Sequence, residues 1–308
     1  MPTTYIPTSA QDVLTNAYFI EEQLATPGVT PTNGTWKSVG LISNIDEVST
    51  HEEQEIPIVG SADYFANLKM GNTKTFNMTY YIINNTEFCR YLNELAAGTG
   101  TPAHGLSVLQ KQNIDGAPMY RLYRGCFPAT GTFNIGRMIS IDMTFRAMKY
   151  TEWVDQAAIT AIIGASPIYP GALTGTPITN LSTGTLDPFT IGGVPFDLQT
   201  MTMDVNRNPR ELKPLGNSDP TKLGVGNRRF TGALTTWVAG NDIYDFHDTF
   251  TPNSLVFRFR TMPTPIDLTL SNVTFGEYRR PLDAGSNEFQ TESVNYKAGS
   301  ATISLVTT

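Results

Sequence analysis

Two stretches of this sequence match each other and indicate how the chain is organised: VGSADYFANLKMGNTKTF at residues 59–76 and LGNSDPTKLGVGNRRF at residues 215–230. Gly60 corresponds to Gly216, and the phenylalanine that ends the first stretch corresponds to the one that ends the second. The stretches lie about 155 residues apart, which is the length of a domain rather than of a small repeat unit. The sequence therefore predicts an internal duplication.

The correspondence continues downstream in the same order. A predicted helix begins at Asn85 in the first copy and at Asn241 in the second. Two later strand-like segments also correspond: Tyr120–Arg124 with Val256–Arg260, and Met143–Ala147 with Val294–Ala298. The first copy has about 18 additional residues between helix and strand, in the glycine-containing segment 98–116, which is interpreted as a loop.

The strongest patterns alternate apolar and polar residues with a period of two, which is typical of half-buried antiparallel strands. These segments are Phe76–Ile82, Ile139–Phe145, Leu255–Phe259, Ile266–Leu270 and Ala301–Leu305. Helical spacing is found in Asn85–Leu95 and in the shorter segment from Asn241. Since strands and helices do not alternate, a parallel sheet is not expected. The pattern predicts a mainly β fold of two similar β-sandwiches or half-barrels, each with one flanking helix.

The segment between the copies marks the domain boundaries. Residues 166–193 are rich in Pro, Gly and Thr and keep neither period, so they are interpreted as a linker. We expect the following divisions: an N-terminal arm at 1–37, a first domain at 38–160, a linker at 161–193 and a second domain at 194–308.

Composition limits the classes of partner. Twenty-eight acidic residues against 21 basic ones give a net charge of −7, which argues against tight binding of nucleic-acid phosphates. With 40% hydrophobic and 16% charged residues, the chain is expected to fold. The first thirty residues do not resemble a secretory signal, and the apolar run 157–165 is far shorter than a membrane span. We expect synthesis in the cytoplasm and no membrane span.

The residues that carry chemistry are sparse. His51, His104 and His247 have no histidine or cysteine at a metal-ligand spacing, and each fits an exposed position. No G-x-S-x-G nucleophile motif occurs, and the glycines at 98 and 100 lack the lysine of a phosphate-binding loop. The sequence therefore indicates no enzyme, no catalytic or metal-ligating residues and no cofactor.

Charge clusters of opposite sign occur at equivalent places in the two copies. If both clusters lie at hairpin tips, they suit a head-to-tail contact between subunits, and the alternative is that both are solvated surface. The acidic cluster is Glu52, Glu53 and Glu55, and the basic cluster is Arg207, Arg210 and Lys213.

The start of the chain adds a resemblance to a known family. Residues 19–48, FIEEQLATPGVTPTNGTWKSVGLISNIDEV, contain an acidic pair, a Gly/Pro/Thr segment, a tryptophan and then a strand. A long hairpin segment follows at 43–82, and the copies end in the similar strands TFRAMKY (144–150) and VNYKAGS (294–300). In this order of features the chain resembles the major tail tube proteins of tailed phages and viruses over most of its length.

The resemblance implies that each copy is a tail-tube domain whose hairpins join those of its neighbours in a β-barrel ring around a channel. Family rings are commonly built from six domains, so two copies per chain imply a homotrimer with pseudo-sixfold symmetry. Stacked rings would form the tail tube, and viral DNA would pass to the host without specific binding. Acidic residues on or near the hairpin strands are the candidates for the channel wall: Asp46, Glu47, Asp142, Asp204 and Glu292.

The implied partners are further copies of the chain and other tail proteins, namely a tail terminator, a baseplate or tip protein and a tape measure. The implied location is the virion tail. The alternative from another class is a two-domain β-sandwich adhesin or carbohydrate-binding module. That protein would be monomeric, would expose an aromatic cleft around Trp153 or Trp237, and would normally carry a signal peptide.

Overall fold

The structure is a computed structural model of the chain. Strands dominate it, which confirms the predicted mainly β class. The first predicted helix, Asn85–Leu95, lies outside the described residues. These are residues 16–22, 28–32, 34, 36–38, 41–57, 64–81, 105–114, 116–136, 139–164, 189–212, 219–238, 243–249, 251–259, 266–280 and 290–305.

The described residues form 18 strands and two helices. The strands of the first half are β1 (Asn16–Glu22), β2 (Lys37–Ser38), β3 (Leu41–Pro57), β4 (Tyr64–Tyr81), β5 (Gly105–Ile114), β6 (Ala117–Ile135), β7 (Ile139–Ala147) and β8 (Lys149–Tyr150). Those of the second half are β9 (Phe189–Ile191), β10 (Val194–Phe196), β11 (Leu198–Asn206), β12 (Pro209–Leu212), β13 (Lys222–Val225), β14 (Arg229–Trp237), β15 (Asn253–Phe259), β16 (Ile266–Arg279), β17 (Thr291–Ala298) and β18 (Ser300–Leu305). The helices are α1 (Gln156–Ile163) and α2 (Ile243–Asp248).

The strands β3-β4-β7-β6-β11-β14-β17-β16 lie side by side in this order, and every neighbouring pair is antiparallel. We call this eight-stranded array the central sheet. Its first four strands come from the first half of the chain and its last four from the second half. The two halves meet where β6 pairs with β11.

Two smaller sheets pack over the central sheet, and each shares one long strand with it. The beginning of β6 leaves the central sheet to pair with β5 and β8, and β5 in turn pairs with β1. In the same way, the beginning of β16 pairs with β15 and β18, and β15 pairs with β9. The strands β12 and β13 form a separate hairpin between β11 and β14.

The pairing register of the first hairpin recurs in the second half. Ile45 lies opposite Met78 in the β3–β4 hairpin. Met201 lies opposite Leu234 in the β11–β14 pair, and the same shift along the chain takes Ile45 to Met201 and Met78 to Leu234. We call two residues that such a shift relates counterparts. The hairpin strands β3 and β4 therefore have β11 and β14 as their counterparts.

The remaining strands also keep constant shifts. Tyr123 of β6 lies opposite Tyr150 of β8. Their counterparts are Leu270 of β16 and Ala301 of β18, which lie opposite each other in turn. The shift that takes Tyr150 to Ala301 also takes β7 to β17, so that Phe145 has Tyr296 as its counterpart.

Irregularities in the pairing occur at counterpart positions as well. The irregularity of β3 between Ile42 and Asn44 recurs in β11 between their counterparts, Leu198 and Thr200. The β5–β6 pair has a register shift between Leu106 and Val108, and the β15–β16 pair has one between the counterparts of these two residues, Asn253 and Leu255. The two halves therefore have the same strand order with the same interruptions.

These registers change two details of the sequence comparison. The match of Tyr120–Arg124 with Val256–Arg260 is wrong, because β15 takes the position of β5, one strand before β6. The match of Phe76 with Phe230 is displaced by two residues, because Gly232 takes the position of Phe76. A shift of two keeps side chains on the same face of a strand, so the alternation pattern alone did not expose the displacement.

The core lies between the central sheet and the two smaller sheets. In the first half, Phe76 and Phe145 stack at a centroid distance of 5.0 Å. In the second half the same two positions hold Gly232 and Tyr296. The Tyr296 hydroxyl donates a hydrogen bond to the Thr202 carbonyl oxygen at 2.9 Å, and burial raises its pKa well above the usual value, which keeps it a neutral donor.

Helix α1 was not predicted from the sequence. It begins after Asp155, whose carboxylate accepts a hydrogen bond from the Ala158 N–H at 2.8 Å, and ends at Gly164, which has a left-handed φ of 78°. These are ordinary cap residues, and they could have been read in the sequence. Helix α2 confirms the short helix predicted near Asn241.

Regular elements lie across the predicted domain limits. Helix α1 crosses the boundary placed after residue 160, and the β9–β10 hairpin crosses the one after residue 193. Strand β1 lies in the predicted arm 1–37, and it pairs along its whole length with β5. Apolar β1 residues such as Phe19, which is fully buried, make this strand part of the first half.

A buried carboxylate fastens the chain between β1 and β2. Glu22 is 3% exposed. It accepts hydrogen bonds from the Gly28 N–H (2.6 Å), the Ser107 hydroxyl (2.6 Å) and the Gly125 N–H (2.7 Å). One side chain thus connects the arm, β5 and β6.

We expect Glu22→Gln to lower the free energy of unfolding by about 2–3 kcal/mol, because the new amide directs N–H groups at buried donors. Chemical denaturation measures the loss. The matched control Asp197→Asn changes an exposed carboxylate and should stay within about 0.5 kcal/mol of the wild type. Equal stability of both variants would show that Glu22 does not anchor this segment.

Candidate assembly surface

One face of the central sheet is solvent-exposed and consists mainly of hydroxyl and amide side chains. Strand alternation and cross-strand register place them together. Among the described residues they are Thr75, Asn77, Thr79, Thr130, Thr132, Asn134, Thr144, Thr202, Asn206, Thr231, Thr235, Ser293 and Asn295. We call this surface the polar face. A run of Thr and Asn on alternate strand positions gives hydrogen-bonding capacity with little net charge.

Three of the predicted wall residues lie on the polar face. Asp46 is exposed and lies opposite Asn77. Asp142 accepts hydrogen bonds from the Thr79 hydroxyl (2.5 Å) and the Asn134 amide (3.0 Å). Asp204 accepts one from the Thr132 hydroxyl at 2.7 Å. These threonine and asparagine donors hold the Asp142 and Asp204 carboxylates in place.

Cationic side chains share the polar face with these carboxylates. Arg146 lies opposite Thr75, Arg229 lies opposite Asn206, and Lys297 lies opposite Thr231. The face therefore carries charges of both signs among neutral polar groups. The described residues of the polar face are therefore not uniformly acidic, although the whole chain has a net charge of −7.

Glu47 is not on the polar face, which corrects one predicted wall residue. Its side chain points to the opposite side of β3 from Asp46, because successive residues of a strand alternate. The Glu47 carboxylate contacts the guanidinium of Arg121. That guanidinium also lies 4.9 Å from the ring centre of Trp153, which is partly buried.

Glu292 is the second correction, since it is fully buried. It accepts hydrogen bonds from the Ile243 N–H (3.1 Å) and the Tyr278 hydroxyl (2.9 Å), and so fastens the start of α2 to β16 and β17. Its alternation with Val294 and Tyr296, both core residues, was a signal of burial in the sequence.

The basic cluster divides in the structure. Arg207 is fully buried. Its Nη1 donates a hydrogen bond to the Pro128 carbonyl oxygen (3.3 Å), and its backbone N–H donates one to the Ala129 carbonyl oxygen (3.0 Å). It therefore stabilises the junction between the halves and is not an exposed tip residue. Arg210 is exposed on β12, and Lys213 lies outside the described residues. The acidic residues are placed by register on β3, and the described side chains do not include theirs.

The hairpin β12–β13 crosses the junction and contacts the first half. Arg146 Nη1 lies 2.9 Å from Glu211 Oε1, and Lys74 Nζ lies 2.6 Å from Asp219 Oδ1. The sequence analysis did not single out Arg146 or Glu211. The sequence match of the two halves does align Arg146 with Lys297, so the charge at this position has the same sign in both copies.

The outermost strands of the central sheet are β3 and β16. Within the described part of the chain, no strand pairs with the outer edge of β3, nor with the outer edge of β16 from Thr274 to Arg279. An unpaired edge of this length promotes pairing with another chain. Strand β3 is the first strand of the central sheet and β16 is the last. The outer edge of β16 in one copy can therefore pair with the outer edge of β3 in a second copy.

The described residues contain no group of three or more side chains that could hold a metal ion, and neither described helix has the length and hydropathy of a bilayer span. Comparison with curated proteins gives no significant match. Comparison with protein families gives one whose description is phage tail tube protein, and it matches residues 11–298. The chain therefore belongs to the phage tail tube proteins, a family of structural components of the phage tail.

Proposed function

We propose that three copies of this chain close into a ring, that the rings stack into the hollow tail tube, and that viral DNA passes through the channel without specific binding. Each chain would contribute two copies of one tail-tube domain. The recurrence of the strand order and of its irregularities in both halves supports the duplication. A β-sandwich adhesin has no comparable support, since the family match is to phage tail tube proteins.

The observation that carries the ring is the pairing of β6 with β11 inside the chain. It joins the last central strand of the first half to the first central strand of the second half. The corresponding strands are β16 and β3, and no described strand pairs with their outer edges. If β16 of one chain pairs with β3 of the next in the same way, every junction around the ring is alike and no edge is left.

The internal junction also predicts the register between subunits. Thr132 of β6 lies opposite Asp204 of β11. The counterpart of Thr132 in β16 is Arg279, and the counterpart of Asp204 in β3 is Val48, so the same pairing places Arg279 opposite Val48 of the next chain. Both residues are exposed in the single chain, at 37% for Val48. Pairing would therefore cover an apolar side chain at the edge.

The size of the closed sheet suits a conduit. Three chains with eight central strands each give 24 strands. At about 4.8 Å between strands and a tilt of about 40°, the barrel is about 48 Å across between strand centres. Barrels of 16 to 18 strands already contain aqueous channels. The polar face would then be the channel wall.

Sedimentation velocity of the purified protein tests this function. We expect a species of three times the 33.8 kDa chain mass together with larger stacked polymers. A sole species of one chain mass at every concentration would contradict the proposal.

Assembled rings should bind duplex DNA weakly, because the polar face mixes carboxylates such as Asp142 and Asp204 with cations and offers no continuous phosphate site. Fluorescence anisotropy with a labelled duplex should show binding that disappears at moderate salt. As a matched comparison, Asp142→Lys with Asp204→Lys adds six lysines per trimer and should give measurable affinity with a steep salt dependence. A sub-micromolar Kd for the wild type at physiological salt would contradict the proposed passage.

A further inference from the structure

The contact between Arg146 and Glu211 lies within one chain, and an equivalent contact can be sought between two subunits. Glu211 lies on β12, in the second-half hairpin, and its side chain is only 11% exposed because it lies against the first half. Arg146 lies on β7 of the first half, 2.9 Å away. This ion pair bridges the same junction at which β6 pairs with β11.

Glu211 has a counterpart with the same charge in the first half. It lies opposite Leu223 in the β12–β13 hairpin. The shift that relates β11 to β3 takes Glu211 to Glu55 and Leu223 to Asn67, and these two residues lie opposite each other in the β3–β4 hairpin. Glu55 therefore has the same place in its hairpin as Glu211.

Arg146 likewise has a counterpart with the same charge in the second half. It lies opposite Thr75, and its counterpart Lys297 lies opposite Thr231, the counterpart of Thr75. The nearby pair of Lys74 with Asp219 does not recur in this way, because the position of Lys74 is taken by Phe230 in the second half. Of these two ion pairs, Arg146–Glu211 alone has both of its charges preserved at the counterpart positions.

We propose that Glu55 of one chain forms an ion pair with Lys297 of the neighbouring chain in the ring. This inference rests on the proposed ring and names a contact that selects its neighbour. Glu55 lies on β3, the first strand of the central sheet, and Lys297 lies on β17, the seventh. Six strand spacings of about 4.8 Å separate them by about 29 Å, so the pair cannot form within one chain.

The proposed pair replaces the contact between the acidic and basic clusters. Arg207 is buried at the internal junction and is unavailable to a neighbouring chain. Lys297 is exposed on the polar face. In the ring, the acidic hairpin of one chain would lie over β17 of the next, just as β12–β13 lies over β7 within the chain.

Charge reversal tests the pair. We expect Lys297→Glu or Glu55→Lys to raise the concentration needed for assembly about tenfold, because each ring then contains three like-charge contacts. The exchange of both residues together should restore assembly to within about twofold. Lys149→Glu is the matched control, since it reverses an exposed lysine on β8, outside the central sheet, and should assemble normally.

Zero-length cross-linking locates the contact directly. A carbodiimide joins a carboxylate and an amine that touch, forming an amide while the carbodiimide takes up the water as a urea. In rings assembled from ¹⁵N-labelled and unlabelled chains, we expect a peptide that links Glu55 to Lys297, with one partner of each label. If the wild type does not assemble, the proposed function fails. If it assembles without this peptide and tolerates the reversals, only the ion pair is wrong.

Discussion

Ser49→Pro is expected to leave the chain folded as a monomer and to abolish ring formation. Strand β3 is an edge strand of the central sheet, and proline is tolerated at an edge when the lost N–H points away from the paired strand. The lost N–H and the added pyrrolidine group would both lie at the outer edge of β3, where we propose that the neighbouring chain pairs. Sedimentation velocity should show monomer at concentrations at which the wild type is assembled, with an unchanged circular dichroism spectrum.

The direction of the Ser49 N–H follows from the internal junction. The Arg207 N–H donates across β11 and β6 to the Ala129 carbonyl oxygen. In an antiparallel strand every second residue directs its N–H to the same neighbour, so Val205 faces β6 as well. Ser49 of β3 is the counterpart of Val205 of β11. Thr75 lies next to the residue that pairs with Ser49, and its counterpart Thr231 lies next to the residue that pairs with Val205.

The matched control for this variant is Ser49→Val, which introduces the residue found at the equivalent position of the second half. It keeps the N–H and should assemble like the wild type. Rings of normal size and yield from the proline variant would mean that the outer edge of β3 is not a subunit contact.

Gly232→Ala is expected to lower the free energy of unfolding by more than about 3 kcal/mol and to leave little folded protein. A Cβ at this position would collide with the backbone carbonyl oxygen of Thr202 and would come within 2.6 Å of the Tyr296 hydroxyl oxygen. The backbone oxygen belongs to the neighbouring strand of the central sheet and cannot move alone. Thermal and chemical denaturation measure the loss.

Gly136→Ala is the control for that change. Its Cβ would meet the Thr200 methyl group at 3.9 Å, an ordinary contact, and the variant should unfold within about 1 kcal/mol of the wild type. If Gly232→Ala were as stable as this control, the packing of Tyr296 over Gly232 would be wrong.

The sequence predicted those parts of the fold that depend on local alternation. Ile139–Phe145 and Leu255–Phe259 read as one-sided strands, and both are found as strands. Of their apolar residues, these are buried: Ile141, Met143, Phe145, Leu255 and Phe257. The period of two also places Asp142 and Asp204 on the polar sides of their strands, opposite the apolar residues, before any register is known. The same period places Glu292 on the face of Val294 and Tyr296 and so indicates its burial. Its hydrogen bonds from Ile243 and Tyr278 could not be predicted, because these partners belong to other elements.

Features that depend on distant pairing were not predictable. The match of Phe76 with Phe230 looked correct, and only the pairing across β11 and β14 shows that Gly232 holds that position. Tyr296 compensates for the missing side chain from a third strand. The role of Arg207 was not predicted for the same reason. A charged residue between Asn206 and Asn208 is typical of a solvated turn, and its burial follows only from its contact with β6.

Cryo-electron microscopy of assembled tubes tests the central claim most directly, because it shows which strands meet between subunits. We predict three chains per ring, a continuous sheet of 24 antiparallel strands, and β16 of each chain paired with β3 of the next so that Arg279 lies opposite Val48. A ring in which β3 and β16 remain unpaired, or in which the polar face points outward, would contradict the account.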